Sequence, residues 1–273
     1  MRVMHIIKEE SRMNLFDLTG KNAVIVGGGG GLGKTLAKGL ISAGAKVLLA
    51  DIAEEPVKKA AEELGGGTLW FVGNAGVEAD VQALVADATK RLGKISILVN
   101  AQGFNKKQDA FDLDFDMIRQ MLDANVTSLM ITSKHFGMHF KENGYGKIIN
   151  LSSVRGRIAT KGPGNIGYCA TKGAVDMLTK QFASEFGQFG VTVNAIGPNI
   201  TMTPPMLAVF EKRAAEAGVT VNEYLQTQGE GNPMRRMGEP EDLIGTAIFL
   251  ASAASDFMTG NTLYPDGGLT AIG

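Results

Sequence analysis

Tyr168 and Lys172 stand four residues apart in a stretch whose apolar spacing predicts a helix over 166–189, so their side chains share one face. A free tyrosine, with a pKa of about 10, is a poor base at neutral pH. An ammonium group beside it favours the phenolate and lowers that value. The pair can then accept a proton from an alcohol, or return one to an alkoxide. Alone, such a pair is more often an ordinary helix-surface contact. A second chemistry lies near the start of the chain, where Val26 is followed by Gly27, Gly28, Gly29, Gly30, Gly31, Leu32 and Gly33. Glycines let a backbone turn sharply and approach a pyrophosphate, and a helix starting there offers free N–H groups and its positive dipole end. Asp51 follows 18 residues after Gly33, at the end of a predicted strand. A carboxylate there accepts hydrogen bonds from both hydroxyls of an adenosine ribose and repels a 2′-phosphate, which favours NAD over NADP. Gly30 offers no basic side chain to such a phosphate.

These groups need elements to hold them. Apolar runs at 22–26, 46–50, 68–72, 95–100, 147–151, 191–196 and 262–264 read as strands. Helix-like stretches at 32–43, 56–64, 77–92, 114–141, 166–189 and 240–251 alternate with them. Near-continuously apolar strands alternating with helices imply a parallel sheet covered on both faces, a doubly wound three-layer α/β fold of the Rossmann kind. Ligands in such folds bind beyond the carboxyl ends of the strands. The Gly-, Pro- and Met-rich stretch 198–233 follows one of those ends and is expected to be a loop or small helical lid over substrate.

The bulk numbers narrow the class. With 273 residues, 44% hydrophobic and 20% charged, the chain fits one globular domain over 15–273, preceded by a loose extension over 1–14. A net charge of −1 gives no field that would draw it to nucleic acid or an anionic membrane. No apolar run reaches the length of a membrane span. The single cysteine, Cys169, cannot form an internal disulfide, which suits a cytoplasmic location. His135 and His139 are helix-spaced but lack an accompanying acidic motif, and with His5 they predict no metal site.

Further residues carry a resemblance that covers nearly the whole chain. Gly27, Gly31 and Gly33 match T-G-x-x-x-G-x-G, with Val26 in place of the hydroxyl residue. Asn100-Ala101-Gln102-Gly103 matches N-A-x-G. Asn125, Ser153, Tyr168 and Lys172, then Asn194-Ala195-Ile196-Gly197-Pro198 and Asp266-Gly267-Gly268, follow in order. The set resembles the short-chain dehydrogenase/reductase family of the classical type. That resemblance implies hydride transfer between a nicotinamide cofactor and a CH–OH group. Tyr168 would be the acid/base, Ser153 would hold the substrate oxygen, and Lys172 would grip the nicotinamide ribose. Asn125 would hold a water that links Lys172 to a proton relay. It further implies cofactor contacts at Gly27, Gly30, Gly31, Leu32, Gly33, Asp51, Ile52, Asn74, Ala75, Asn100, Ala101, Gly103, Tyr168, Lys172, Pro198, Ile200 and Thr203, and a homotetramer. Asn74 and Asn199 depart from the usual Asp and Gly.

The interval from Ser153 to Tyr168 is longer than usual for the family and carries Arg155, Arg157 and Lys161, while Lys106 and Lys107 lie on a neighbouring loop. Arginine suits planar recognition of carboxylate or phosphate, so an anionic or highly hydroxylated small substrate is expected, contacted by Ser153, Arg155, Arg157 and Tyr168. Solvated loop charge explains the same residues equally well. The V-R-G-R stretch and the run Y-C-A-T-K-G-A-V-D-M-L-T are similar to gluconate 5-dehydrogenase-like members, which act on sugars, polyols or sugar acids. Alternatives are a 3-oxoacyl-carrier-protein reductase, which Asp51 argues against, an epimerase or dehydratase on the same scaffold, and a non-catalytic NAD(H) sensor.

Overall fold

The computed structural model describes residues 14–160, 162 and 164–272; His5, Lys161 and all but the last residue of the expected extension 1–14 lie outside them. Seven strands, β1 (Asn22–Val26), β2 (Lys46–Asp51), β3 (Leu69–Val72), β4 (Ile97–Asn100), β5 (Gly146–Leu151), β6 (Val191–Ile196) and β7 (Thr262–Leu263), form one sheet. All pairs are parallel, in the order β3-β2-β1-β4-β5-β6-β7. The order reverses between β1 and β4, where Val26 pairs with Asn100. That is the switch point at which doubly wound sheets open a crevice for ligands.

Successive strand side chains point to opposite faces, and β1 shows why its run is apolar throughout. Ala23 and Ile25 pack on one face with Leu36, Ala37 and Leu40 of α1 (Gly31–Ser42) and Ala247, Leu250 and Ala251 near the chain's end. Val24 and Val26 pack on the other with Leu84 and Ala88 of α2 (Glu78–Leu92) and Phe136 and Phe140 of α3 (Ser128–Asn143). Each fully buried Val or Leu in these two layers contributes roughly 1.5–3 kcal/mol. The sheet is thereby fixed on both sides, and its carboxyl edge becomes a rigid platform.

Two expectations about elements are corrected. The long helix expected over 114–141 is broken into Phe115–Leu122, a π-helical turn at Asp123–Thr127, and α3. The wider turn lets Asn125 face inward, where it is only 2% exposed and meets three polar partners. The helix expected over 166–189 is α4 (Ile166–Phe186), closed by a tight 3₁₀ turn before β6. The stretch 198–233 is mostly helical: α5 (Pro204–Ala217) and α6 (Val221–Glu230), the second opened by a reciprocal Thr220–Glu223 capping box.

The glycine turn is held largely by backbone bonds where Val26 offers no hydroxyl. The amides of Gly27 and Gly28 both donate to Ala50 O, at 2.8 and 3.0 Å, and Gly30 N donates to Gly27 O at 3.2 Å. Gly27 has φ +78°, and a Cβ there would lie 2.6 Å from the backbone nitrogen of Gln102. Gly27→Ala therefore combines left-handed strain with a backbone clash and is expected to cost about 2–4 kcal/mol. Urea unfolding that shifts by less than about 0.5 kcal/mol would show the turn to be more pliable than this packing implies.

Candidate active site

The cradle at the switch point is built from the main chain. Gly30, preceding α1, makes no side-chain cap, and no acidic residue stands in the helix's first turn. The first N–H groups of α1 are left for an anion. A Cβ at Gly33 would run into the carbonyl of Gly27, so the helix packs directly on the turn. At Gly31 a Cβ would meet Thr203 Cγ2 at 3.1 Å; the segment leading into α5 thus lies against the turn. Leu32 is partly buried beside them.

Asp51 ends β2 with both carboxylate oxygens on backbone amides: Gly29 N donates at 3.0 Å and Ala53 N at 3.2 Å. Its position at the mouth of the turn is therefore fixed. Lys34, the first lysine of α1, is paired with Glu63 at 2.6 Å. Ile52 is 66% exposed beyond Asp51. Asn74 is exposed, and its carboxamide oxygen already accepts from Gly76 N at 2.9 Å, so only part of its bonding capacity faces outward. Ala75 follows it, partly buried.

On the far side of the crevice, Asn100 turns its carboxamide into the protein. It donates to Asn150 Oδ1 at 2.9 Å and accepts from Thr132 Oγ1 at 2.7 Å. It braces β4 against β5 and can meet a ligand only through its main chain. Ala101 N donates to Val26 O at 2.9 Å. Asn125 receives Phe104 N at 2.8 Å and donates to Phe104 O at 2.9 Å and to Thr171 Oγ1 at 3.0 Å. A Cβ at Gly103 would stand 2.5 Å from Asn125 Oδ1. The asparagine thus joins the loop after β4 to the helix that bears Tyr168 and Lys172. Thr171, between those two residues, was given no role from the sequence.

Ser153 Oγ faces Pro198 O at 3.5 Å and accepts from Arg155 N at 3.2 Å. The Ser153 hydroxyl is the nearest side-chain group that favours the Tyr168 phenolate. Burial pushes the Tyr168 phenol above the ordinary value, while Ser153 and the Arg155 charge pull it back. Burial also holds the Lys172 ammonium down, to about 8, against the raising effect of Asp176. The expected lowering of Tyr168 by Lys172 is not among the effects on the phenol, which burial and Cys169 raise and Ser153 and Arg155 lower. Lys172 Nζ lies 5.6 Å from the Tyr168 ring centre but donates to Leu151 O at 2.6 Å. Both groups sit in a low-dielectric site that disfavours either charge. The phenolate gains its support from Ser153 and Arg155 first.

Asn199, which replaces the usual glycine after Pro198, has a structural task. Its Nδ2 donates to Asn232 Oδ1 at 2.9 Å and to Asp266 O at 3.4 Å, tying the loop after β6 to the end of α6 and to the C-terminal turn. Ile200, 37% exposed, follows on the same loop.

The cations expected at the substrate mouth separate. Arg157 lies over the Tyr264 ring at 5.2 Å. Lys106 is held by a backbone bond to Met121 Sδ at 3.4 Å. Arg155 Nη1 donates to Ala159 O at 2.9 Å. Lys107 lies along Gly164, where a Cβ would meet its own Cβ at 3.1 Å, and Gln108 N donates to Gly164 O at 3.1 Å. Burial, then the charges of Arg213 and Arg155, hold the Lys107 ammonium below its ordinary value. Arg213 comes from α5, and nothing in its local sequence marks it. Among the described residues, Lys107, Arg155 and Arg213 form no ion pair. His135 faces Glu78 at 2.8 Å, and His139 Nε2 accepts from Ile95 N at 3.2 Å, so the two rings serve separate partners.

Comparison with known proteins agrees with this geometry. The family profile described as enoyl-(acyl carrier protein) reductase matches residues 27–270. Galactitol 2-dehydrogenase (L-tagatose-forming) of Cereibacter sphaeroides is 32% identical over 256 residues, covering 94% of this chain and 97% of that protein. The crystal structure of a gluconate 5-dehydrogenase from Burkholderia cenocepacia, in complex with NADP and tartrate, superposes with a TM-score of 0.85 at 34% identity, covering 94% and 98% of the two chains. A short-chain type dehydrogenase/reductase from Mycobacterium marinum superposes at 0.82 with 31% identity, covering 94% and 97%. The switch-point cradle, the serine, tyrosine and lysine beside it, and these whole-length likenesses have one reading: this chain belongs to the short-chain dehydrogenase/reductase family.

Proposed function

We propose that the chain transfers hydride between NAD(H) and the secondary alcohol or ketone carbon of a sugar, polyol or sugar acid. The observation that carries this reading is that Ser153 follows β5 and the uncapped glycine turn follows β1, on either side of β4 at the carboxyl edge of the sheet, with Lys172 bonded to Leu151 O at the end of β5 and 5.6 Å from the Tyr168 ring. The bound nicotinamide ring supplies the hydride acceptor or donor. The chain's own residues handle the proton and the geometry. Ser153 holds the substrate oxygen within reach of the Tyr168 hydroxyl. Tyr168 takes the proton during oxidation and returns it during reduction. Lys172 would hold the nicotinamide ribose, and Asn125 positions its helix through Thr171. The amides at Gly30–Gly33 would hold the pyrophosphate, and Thr203, Pro198 and Ile200 would contact the nicotinamide end. The loop and helices of 198–233 act as the lid.

Asp51, fixed by Gly29 and Ala53, supports NAD over NADP, since a 2′-phosphate would meet a carboxylate there. The solved gluconate 5-dehydrogenase carries NADP, so cofactor choice is the sharpest test. The expected result is at least tenfold higher kcat/KM with NAD than with NADP, and a narrowed gap in Asp51→Ser. A preference for NADP beyond tenfold overturns the assignment.

Lys107, Arg155 and Arg213, which form no ion pair among the described residues, favour a carboxylate-bearing substrate within the sugar and polyol class. The same cations also favour a second reading, an acyl chain on a phosphopantetheine carrier. A panel of aldonates, polyols, keto acids and acyl thioesters separates the two. Exposed apolar residues on Phe115–Leu122, α3 and α4, among them Phe115, Met130, Met138 and Met177, support a homotetramer. Among the described residues no helix is long and apolar enough to cross a membrane; work in the cytoplasm is part of the proposal.

A further inference from the structure

Asp176 lies one turn beyond Lys172 on α4, and its carboxylate is held from outside the helix. Thr262 Oγ1, in β7, donates to Asp176 Oδ1 at 3.0 Å, and Tyr264 Oη, just beyond β7, donates to Asp176 Oδ2 at 3.3 Å. The same carboxylate stands against Gly156, where a Cβ would collide with Asp176 Oδ2 and lie 2.8 Å from Lys172 O. Gly156 ends the short 3₁₀ turn Val154–Gly156, whose first residue follows Ser153. The Arg157 guanidinium, next along the chain, covers the ring of the tyrosine that holds Asp176. One partly buried carboxylate therefore touches the serine-bearing turn, the lysine-bearing helix and the last strand.

We propose that Asp176 is a positioning residue for the reaction: it supplies the counter-charge for Lys172 and locks the Ser153 turn to α4 and β7. The inference rests on the roles of Tyr168 and Lys172 in the proposed function. A buried ammonium near a single carboxylate keeps its proton to higher pH than the same ammonium without one. Among the described residues Asp176 is the one charged group that acts on Lys172. The other ionisable groups around this cluster are Tyr168 and Cys169 on the same helix, Arg155 and Arg157 from the turn, and Tyr264 beyond β7. The arginines act on the two tyrosines rather than on the lysine. Strands β5 and β6, packed against α4, present no charged side chain to Lys172. Tight contact at Gly156 explains why the turn has no side chain there, since any Cβ would displace the carboxylate.

The test separates charge from hold. Asp176→Asn keeps the size of the side chain and much of its bonding but removes the charge. Its expected effect is an alkaline limb of the kcat profile moved down by about one pH unit, a tenfold change in the protonation equilibrium. NADH binding is expected to be unchanged, and Asp176→Glu to restore part of the wild-type profile. Thr262→Val with Tyr264→Phe keeps the charge and removes the hold. That variant is expected to raise KM and lower kcat/KM about tenfold, with the limb in its original place. A folded Asp176→Asn enzyme with the wild-type limb overturns the counter-charge role. Should Asp176→Ala fail to fold, the asparagine and glutamate variants still decide the matter through their profiles. Tyr168→Phe serves as the reference: if it remains active, the underlying reading of the site fails whatever Asp176 does. If it is inactive and Asp176→Asn is normal, the inference about Asp176 alone fails.

Discussion

Tyr168→Phe is expected to lower kcat by about 10³-fold, within the range a positioned general acid or base supplies, while NADH binding is retained. The substitution removes one oxygen. That oxygen is the one Ser153 acts on and the proton carrier in the proposed step. Phenylalanine fills the same partly buried space, so the packing of α4 and the glycine turn is undisturbed. In the proposed function cofactor binding rests on the amides at Gly30–Gly33, on Asp51 and on Lys172, none of which changes. The loss should therefore fall on kcat rather than on cofactor affinity, read by stopped-flow hydride transfer beside NADH fluorescence titration. Equal inactivity of wild type and variant across a broad alcohol and ketone panel, with NADH bound by both, would instead mark a cofactor-sensing protein.

Lys172→Met is expected to lower kcat by at least about 10²-fold and to change how stability depends on pH. Burial holds the folded-state value of Lys172 at about 8, against an ordinary 10.5. Below pH 8 the fold must bury a charge that the unfolded chain hydrates freely, and the penalty is fully present. Between pH 8 and 10.5 the folded protein has already released the proton while the unfolded chain still holds it. The unfolded state then binds more protons, so wild-type stability rises with pH through that window. Methionine has no such dependence. Between pH 7 and 10.5 wild type should gain about 3 kcal/mol relative to the variant. At pH 7 the relief of the buried charge is offset by leaving Leu151 O without its 2.6 Å partner, an orphan worth about 1–3 kcal/mol. The two proteins should thus be close in stability at pH 7 and diverge above it. Urea unfolding at several pH values reads this directly, and parallel curves for the two proteins would sink the argument.

The two variants together show how the sequence and the structure divide the work. The i, i+4 spacing placed Tyr168 and Lys172 on one helix face, and that is how they stand. Spacing could not say that Lys172 Nζ would find the carbonyl of Leu151, a residue from another strand. Nor could it say that burial would push tyrosine and lysine toward their neutral forms, because burial is a property of the packed core. Asn125 faces inward, but nothing in the sequence marks the π-helical turn that bears it. A continuous helical pattern over 114–141 carries no mark for one extra residue per turn. Arg155, Arg157, Lys161, Lys106 and Lys107 read as one basic mouth. The fold sends Arg157 to Tyr264 and brings Arg213 in from α5, while Lys161 lies outside the described residues.

What the sequence determined by itself was local. Continuous apolar strands alternating with helices fixed a parallel sheet buried on both faces, and a glycine run between the first strand and helix fixed a turn that only glycine can make. Asp51 at the end of β2 followed from the same strand pattern. These features depend on backbone sterics and on periodicity, which neighbours in the chain decide. What the tertiary structure alone decided was every relation between distant segments. It set the inward turn of Asn100 to Asn150, the tie from Asn199 to Asn232 and Asp266, the contact of Thr203 with Gly31, and the carboxylate of Asp176 beneath Gly156. Those contacts join residues tens of positions apart. Their energies depend on distance, burial and charge in the packed molecule, and no local pattern in the chain encodes these.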